Sequence, residues 1–286
     1  MTICVINGSR ADEGLLAWPM VELRNAGEDV WPLDIKGLPA WDAMKQVAES
    51  FERWRPDWML VLGDRYEALG AALAAHLWRV PIAHLCGGDQ TEGSYDDAMR
   101  DCISRLATLH LVTSPQSESR LLAMGYSQVH LVGNPGIDYI RRASWKRAER
   151  PLPVPYVLVS YQAETLDGTD EMAAVLESLP DKLAVILMPN PDRGSEAIRD
   201  TILSYCHNHE ALVYESVPHD DFLNLLAFCD EFIGNSSAIF YEAVELNVQT
   251  RLIGNRQGGR VVPWGDGSAS ERIVKLLQEQ RIAVRI

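Results

Sequence analysis

The stretch WMLVLGDRYEALGAALAAHLWRVPIAHLCGG, residues 58–88, shows how the chain is built. Two short apolar runs, WMLVL and PIAHL, flank the segment EALGAALAAHLW (67–78), which has the length and composition of a helix. Both runs lack polar alternation, as strands buried on two faces do. The stretch therefore predicts a strand, a crossover helix and a second strand parallel to the first.

The same alternation continues on both sides of this unit. Nine further apolar runs have the length of strands, and most precede a helical segment: TICVING, DVWPL, LHLVTS, VHLVGN, YVLVSY, LAVILMP, ALVYES, EFIGNSS and TRLIGN. Eleven strands exceed one small domain, and KRAERPLPVPY (146–156) combines charge with three prolines, as linkers do. We therefore predict an α/β fold of two Rossmann-like, doubly wound domains, residues 1–150 and 151–286, facing a cleft.

Composition narrows the class of protein. The 286 residues carry a net charge of -14, which argues against broad binding of nucleic acid or of an anionic membrane surface. The five cysteines are scattered without metal-type spacing, and neither a signal peptide nor an apolar run of membrane-spanning length is visible. We expect a cytoplasmic protein with reduced thiols.

Unusual residues follow the predicted strands, where doubly wound sheets bind their ligands. In the first half, NGSRADEG (7–14) offers a glycine turn, a helix start and Arg10 to an anion. The segment lacks the glycine spacing of a dinucleotide or P-loop site. In the second half, GNSSAIFYEA (234–243) and IGNRQGGR (253–260) supply hydroxyls, an acid and arginines of the kind that hold a diphosphate and a ribose.

Acidic residues crowd two of the strand ends. LGDRYEA (62–68) contains Asp64, Arg65 and Glu67, and GDQTEGSYDDAMRD (88–101) contains four carboxylates before Arg100. The simplest alternatives are structural: Asp64 as a helix N-cap, and Asp96 with Arg100 as a surface ion pair four residues apart. The other interpretation is the floor of an active site.

Seven phrases, in order along nearly the whole chain, resemble the UDP-N-acetylglucosamine 2-epimerase family, particularly its hydrolysing members. The phrases are GSRADEGLL, VLGDRYEALGAALAA, PIAHLCGGDQTEGSYDDAMRDCISRLATLHLVTS, LVGNPGID, MPNPDRGSEAI, DFLNLL and IGNSSAIFYEAVELNVQTRLIGNRQGGR. The resemblance implies the two-domain glycosyltransferase-B architecture, with the sugar on the first domain and the nucleotide on the second. It also implies release of UDP and N-acetylmannosamine from UDP-N-acetylglucosamine.

The resemblance assigns residues to roles by their place in these phrases. The predicted catalytic residues are Asp64, Asp96, Asp89, Glu92 and Arg100. The predicted substrate-binding residues are Arg10, Arg65, Glu67, His84, Gln162, Asn190, Ser236, Ser237, Glu242, Arg256 and Arg260. Within this set Ser236 and Ser237 match serines on the diphosphate, and Glu242 matches the acid that holds the ribose.

The implied chemistry explains why carboxylates are needed. Inverting C2 requires removal of a weakly acidic proton while UDP leaves C1, and then addition of water with a proton returned to the opposite face. Two acid/base groups are needed, and cations must stabilise the leaving diphosphate. No hydride moves, so we predict neither a nicotinamide cofactor nor a metal. The expected partner is a nucleotide sugar, with a homodimer left open.

The chain departs from the family pattern at three positions. Cys86 stands where members often carry a carboxylate in H-x-E-G-G, Gln162 stands where the second-half histidine falls, and Asp101 replaces the histidine after Arg100. Because glutamine cannot exchange a proton, acid/base duty at Gln162 is lost. Three hypotheses follow: a hydrolysing epimerase, a hydrolase or glycosyltransferase of another nucleotide sugar or nucleotide, and an inactive nucleotide-binding relative.

Overall fold

The computed structural model of the chain describes residues 1–142, 149–166, 170–259 and 261–284, with side chains except those of residues 10, 11 and 281–284. Within these residues eleven strands alternate with eleven α-helices. The strands form two sheets, and every strand pairing is parallel. The eleven predicted strands and the α/β class are confirmed. Residues 146–148 of the predicted linker lie outside the described residues.

The first sheet has six strands in the order β2-β1-β3-β4-β5-β6. Chain order reverses between β1 and β3, so the topological switch point lies between the loops that follow these two strands. The strands are β1 (Thr2–Asn7), β2 (Asp29–Asp34), β3 (Trp58–Leu62), β4 (Ile82–Leu85), β5 (Leu109–Val112) and β6 (Val129–Leu131).

Helices cover the first sheet, and the sequence of α3 shows why they pack closely. The small side chains of Ala71 and Ala75 in α3 are fully buried, and Gly70 lies so close to Ala40 that a Cβ would meet its carbonyl oxygen at 2.1 Å. The helices are α1 (Arg10–Asn25), α2 (Ala40–Arg53), α3 (Tyr66–Leu77), α4 (Asp96–Leu106), α5 (Pro115–Ala123) and α6 (Pro135–Arg142). Among all helices of the described residues, none has the length and apolar content needed to cross a bilayer.

The second sheet has five strands in the order β11-β10-β7-β8-β9. Its switch point lies between β7 and β10, the first and fourth strands of this half. The strands are β7 (Tyr156–Ser160), β8 (Leu183–Leu187), β9 (Ala211–Tyr214), β10 (Glu231–Gly234) and β11 (Thr250–Leu252). The helices are α7 (Met172–Glu177), α8 (Ser195–Cys206), α9 (His219–Phe228) and α10 (Glu242–Glu245), with a 3₁₀ turn at Ser237–Ile239.

Contacts group the chain into two units that a single cut near residue 150 does not separate. Unit 1 comprises Met1–Asp89, Asp96–Arg142 and Pro263–Ile286, and unit 2 comprises Gln90–Tyr95 and Ala143–Val262. The last helix, α11 (Ala269–Val284), therefore belongs with the first sheet, because Ile273 and Leu277 are buried in its core. The predicted boundary lies between the sheets but assigns α11 to the second domain.

A buried carboxylate fixes the start of α11. Asp138 of α6 is 1% exposed and accepts hydrogen bonds from the backbone N–H groups of Ala269 (3.1 Å) and Ser270 (2.6 Å). These N–H groups have no partner within the first turn of a helix, so the carboxylate satisfies them.

Replacing Asp138 by alanine should therefore lower the free energy of unfolding by about 1–3 kcal/mol, since two buried donors lose their acceptor. Urea unfolding measures the change. The matched control is Glu279→Ala, which removes an exposed carboxylate from a later turn of the same helix and should change stability by less than about 0.5 kcal/mol. Equal stability of Asp138→Ala and the control would contradict this capping role.

Candidate functional site

The turn after β1 is closed by its own acid. Ser9 caps α1, and buried Asp12 accepts hydrogen bonds from the N–H groups of Gly8 (2.8 Å) and Ser9 (3.1 Å). Burial raises the pKa of Asp12 to about 6, although the hydrogen bonds from Ser9 and Gly8 lower it. Those two N–H groups were expected to face an anion, and the Asp12 carboxylate takes that place. The side chain of Arg10 lies outside the described residues, so its phosphate contact stays a prediction.

The loop after β3 presents two ion pairs. Arg65 precedes α3 without a side-chain capping bond and pairs with buried Glu67 (Nε to Oε2, 3.2 Å). The Asp64 carboxylate pairs with the guanidinium of Arg100 on α4. Asp64 therefore pairs with a cation, and it does not cap α3, as one interpretation of the sequence predicted.

Arg100 organises the acidic residues of unit 1. Its side chain is 1% exposed, forms ion pairs with Asp64 and Asp97, and donates to the backbone oxygen of Asp89 at 2.6 Å. Burial lowers the pKa of Arg100, but the charges of Asp64, Asp89 and Asp97 outweigh burial and hold it above the ordinary value. Arg100 is thus buried rather than on the surface, and Asp97, three residues before it on the same helix, is one of its ion-pair partners.

Asp89 is the second anchored acid of unit 1. Its carboxylate accepts from Ser117 (2.6 Å) and Thr113 (3.3 Å), and its backbone oxygen also accepts from Arg120 (3.1 Å). Gly88 lies before it at φ +79°, and a Cβ there would meet the Ser117 oxygen at 2.6 Å. The glycine turn therefore lets α5 approach and hold Asp89 beside Arg100.

His84 has a structural role. The ring is fully buried on β4, with Nε2 2.8 Å from the Gly63 oxygen and Nδ1 3.0 Å from the Ser104 hydroxyl. Because a carbonyl only accepts, Nε2 carries the proton and Nδ1 accepts from serine. Burial lowers the pKa of His84 to about 4, so the ring is neutral at neutral pH. Both ring nitrogens are used inside unit 1, and we do not propose a contact between His84 and substrate.

Cys86, where the family resemblance placed a carboxylate, adopts an unusual backbone conformation. Its φ is +65°, in the left-handed region that glycine prefers, and its side chain is buried. Such outliers persist where the surrounding structure imposes them, often at functional sites. The conformation turns the chain from β4 into the glycine pair that leads to Asp89.

Glu92 belongs to unit 2 and contacts the loop after β11. Its backbone N–H donates to the Gly258 oxygen at 2.9 Å, and a Cβ on Gly259 would lie 2.8 Å from its carboxylate. The neighbouring Ser94 hydroxyl lies 3.2 Å from that of Thr165. Of the four residues predicted to be catalytic, Glu92 thus belongs to unit 2, whereas Asp64, Asp89 and Arg100 belong to unit 1.

In unit 2, side-chain amides connect the loops at the switch point. The Gln162 side chain accepts from the N–H of Asn190 (2.8 Å), while Asn235 bonds to both the backbone N–H and the carbonyl of Gln162. Both Gln162 and Asn235 are buried. Gln162 thus holds the loop after β8 in place, a role that the hydrogen-bonding side chain of glutamine can fill.

Ser236, Ser237 and Glu242 follow β10. Ser236 begins the 3₁₀ turn and accepts from the N–H of Ala238 at 3.3 Å. Glu242 begins α10, and its Oε2 is buried without a hydrogen-bond partner among the residues that the structure describes. Burial raises the pKa of Glu242 to about 7, opposed by a hydrogen bond from its own backbone N–H.

The loop after β11 is held by a buried carboxylate that sequence reasoning missed. Glu164 accepts from the N–H groups of Asn255 (2.9 Å) and Arg256 (3.1 Å), and Arg256 Nε donates to the Ala163 oxygen at 3.1 Å. Arg256 is thereby fixed beside the loop that carries Gln162. Arg260 lies outside the described residues.

Each unit therefore brings a separate part of the predicted set together. Unit 1 gathers Asp64, Asp89 and Arg100, and unit 2 gathers Gln162, Asn190, Ser236 and Arg256 around the β7–β10 switch point. The additional residues that hold these groups are Asp97, Glu164, Asn235 and Gln257, whereas Asp12 closes the turn after β1. In the described part of the chain, no group of three His, Cys, Asp or Glu side chains could hold a metal ion.

Two Rossmann-like parallel sheets with charged side chains at their strand ends define an α/β fold suited to nucleotide ligands. Residues 40–264 match the family described as UDP-N-acetylglucosamine 2-epimerase, which is more than half of the chain. The chain belongs to this family.

Relatives agree with that assignment. The chain is 32% identical over 228 residues to the UDP-N,N'-diacetylbacillosamine 2-epimerase (hydrolyzing) of Legionella pneumophila, covering 74% of this chain and 60% of that protein. It is 28% identical over 236 residues to the GDP/UDP-N,N'-diacetylbacillosamine 2-epimerase (hydrolyzing) of Campylobacter jejuni, covering 77% and 62%. The chain thus spans less than two thirds of the length of either protein.

Among solved structures, the Methanocaldococcus jannaschii UDP-GlcNAc 2-epimerase in complex with UDP-GlcNAc and UDP has a TM-score of 0.81 to this chain. The likeness covers 98% of this chain and 100% of that one at 15% identity. At such low identity the likeness shows a shared fold and says nothing about the ligand of this chain.

Proposed function

We propose that the chain is a hydrolysing UDP-N-acetylglucosamine 2-epimerase that releases UDP and N-acetylmannosamine. The observation that carries the proposal is the buried Arg100 cluster, in a chain whose family acts on nucleotide sugars. Burying an arginine with its carboxylates carries a desolvation cost that good geometry and further hydrogen bonds offset, so a buried ion cluster is weak evidence for stability and we attribute it to function. We further propose that unit 1 provides acid/base chemistry on the sugar and that unit 2 binds the nucleotide.

The reaction divides into two balanced steps. A carboxylate removes the C2 proton while the C1–oxygen bond breaks and the electron pair leaves with UDP, which gives a 2-acetamidoglucal. Water then bonds to C1 through its oxygen and gives up one proton to a carboxylate, while a second, protonated carboxyl donates a proton to the opposite face of C2. We assign the two proton-transfer roles to Asp64 and Asp96. Asp89 is the neighbouring acid, and the positive charge of Arg100 offsets the negative charge of these carboxylates.

The nucleotide is proposed to bind to the group at the β7–β10 switch point. The hydroxyls of Ser236 and Ser237 would donate hydrogen bonds to oxygens of the diphosphate, and Arg256 would supply positive charge. The unpartnered buried oxygen of Glu242 suits a ribose hydroxyl, because a buried acceptor without a donor is otherwise unfavourable. The hydrolysing outcome is supported by the Legionella pneumophila and Campylobacter jejuni relatives, both of which are hydrolyzing 2-epimerases.

A second candidate is nucleotide binding without turnover. Gln162 favours it, because its amide is bonded to Asn190 and cannot transfer a proton. A third possibility, hydrolysis or glycosyl transfer on another nucleotide sugar, is tested by the same assay.

The experiment is incubation with UDP-N-acetylglucosamine and chromatography of the products, with UDP-N,N'-diacetylbacillosamine as a second substrate. UDP with N-acetylmannosamine supports the proposal. UDP binding without release favours the second candidate, and release that requires an added acceptor indicates glycosyl transfer. UDP release from UDP-N,N'-diacetylbacillosamine and not from UDP-N-acetylglucosamine would show that the former is the substrate.

The double substitution Ser236→Ala with Glu242→Ala should weaken UDP binding by about tenfold or more, since it removes proposed contacts with the diphosphate and the ribose. Isothermal titration calorimetry measures the Kd. The matched control, Ser204→Ala with Glu210→Ala, changes exposed residues of the same unit and should leave the Kd unaltered. An unchanged Kd in the first variant would contradict the nucleotide site.

The pKa of Glu242 predicts a pH dependence of stability. Its folded-state pKa of about 7 lies above the ordinary value of 4.5, so the folded chain holds a proton that the unfolded chain releases in this interval. The stabilising contribution is complete below pH 4.5 and is lost as pH rises through about 7. Without ligand, Glu242→Gln should therefore be more stable than the wild type at pH 8.5, and this advantage should shrink at pH 5.5. Thermal unfolding at both values checks the sign, and a constant difference would refute it.

A further inference from the structure

The side chain of Asn235 acts as a clamp at the end of β10. Asn235 is fully buried, its Oδ1 accepts from the Gln162 N–H at 2.6 Å, and its Nδ2 donates to the Gln162 carbonyl at 2.8 Å. The last backbone pair between β7 and β10 is Ser160 with Gly234, one residue before Asn235. The amide thus extends the pairing of the two strands beyond the point where their backbones separate.

The backbone at Asn235 is held from two further directions. Its carbonyl oxygen accepts from Gln257 Nε2 at 2.8 Å, and Gln257 itself is 3% exposed. Gly234 precedes it at φ +142°, where a Cβ would meet the Ser160 oxygen at 1.9 Å. The chain therefore leaves β10 along one fixed direction that only glycine at residue 234 permits.

The next residues along this direction are Ser236 and Ser237, the proposed contacts of the diphosphate. The loops after β7, β10 and β11 meet at Asn235. Gln162 lies in the loop after β7, Asn235 in the loop after β10 and Gln257 in the loop after β11. A buried amide that uses both its oxygen and its nitrogen, as that of Asn235 does, favours one arrangement of the groups that it joins. Fixing donors before the ligand arrives is what favours binding of a charged group.

We propose that Asn235 is a positioning residue that sets the two serines for the diphosphate of the ligand. The inference rests on the proposed nucleotide site and adds the residue that holds the two serines in place. Asn235 itself does not touch the ligand in this proposal. Its effect is therefore confined to ligands that carry the diphosphate.

The first test compares UDP with uridine, which lacks the diphosphate. Asn235→Ala should raise the Kd of UDP about tenfold and leave the Kd of uridine unchanged, measured by calorimetry. Ser236→Ala should weaken UDP binding in the wild type and weaken it less in the Asn235→Ala background, because the serine is already displaced there. The matched control is Asn208→Ala, an exposed asparagine of the same unit, which should change neither constant.

The second test uses pH with Asn235→Asp. An ionised aspartate would face the Gln162 carbonyl with an oxygen in place of the donor, whereas a protonated one can donate to it. The ratio of the variant Kd for UDP to the wild-type Kd should therefore fall between pH 8 and pH 5. Recovery at low pH would tie the loss of UDP binding to the donor that Asn235 supplies to the Gln162 carbonyl.

Unchanged UDP binding by Asn235→Ala, or equal losses for UDP and uridine, would overturn the inference while leaving the nucleotide site in place. A wild-type chain that binds no UDP would overturn both the proposed function and this inference. If Asn235→Ala does not fold, the ratio measured with Asn235→Asp decides, and a ratio independent of pH counts against the positioning role.

Discussion

Replacing Arg100 by leucine should abolish turnover and lower the free energy of unfolding by about 3–5 kcal/mol. The guanidinium is 1% exposed and pairs with Asp64 and Asp97, so its removal leaves two carboxylates facing one another without their cation. The backbone oxygen of Asp89 would also lose one of its two donors and keep only Arg120. Urea unfolding and the UDP-release assay measure the two effects.

The control for Arg100 lies on the same helix. Arg105→Leu changes an exposed arginine in the last turn of α4 and should alter stability by less than about 0.5 kcal/mol. Arg100→Lys keeps the charge but loses the fork that reaches several partners, so its stability should lie between the wild type and the leucine variant. If Arg100→Leu were as stable as the wild type, the ion pairs of Arg100 would not contribute to stability and the account of the cluster would be wrong.

Replacing Asp96 by asparagine should lower kcat by about 10²–10⁴-fold and leave the Kd of UDP within a few-fold of the wild type. The asparagine keeps the size of the side chain but cannot accept or return the C2 proton. Steady-state kinetics and calorimetry on the same preparation measure both quantities. The control is Asp42→Asn, an exposed aspartate in the first turn of α2, which should change neither. Undiminished kcat in Asp96→Asn would remove that residue from the mechanism.

Strand positions could be predicted because each strand buried on both faces is a continuous apolar run. TICVIN and WMLVL have this character, and both form central strands. The return of α11 to the first sheet could not be predicted in this way. An amphipathic helix fits either sheet, and the deciding contact is between Asp138 and the two N–H groups at its start, 131 and 132 positions along the chain.

The candidate site could be predicted to the level of the strand ends and no further. Parallel topology places Asp64 and Asp89 near one edge of the first sheet, as the sequence indicated. The choice of Asp97 as a partner of Arg100, and the contact of Glu92 with the loop after β11, depend on side-chain rotamers and on the path of residues 90–95. Spacing on a helix face could not distinguish Asp96 from Asp97, because positions three and four residues from Arg100 are both neighbours.

The sequence also contains a local signal for the turn after β1, and a residue, Asn235, whose role has no such signal. The spacing of Ser9 and Asp12 is that of a capping box, and it explains why the turn after β1 binds its own carboxylate. Asn235 lies directly before the two serines in GNSS, yet a buried asparagine has no periodic signature. Its role depends on Gln162, 73 residues away in the chain.

Proton nuclear magnetic resonance of the reaction in D₂O tests the central claim most directly, because it follows both the broken bond and the inverted carbon. With UDP-N-acetylglucosamine as substrate, we predict free UDP and N-acetylmannosamine that carries deuterium at C2. Free N-acetylglucosamine that retains its C2 proton would show simple hydrolysis and contradict the account, as would an unchanged spectrum.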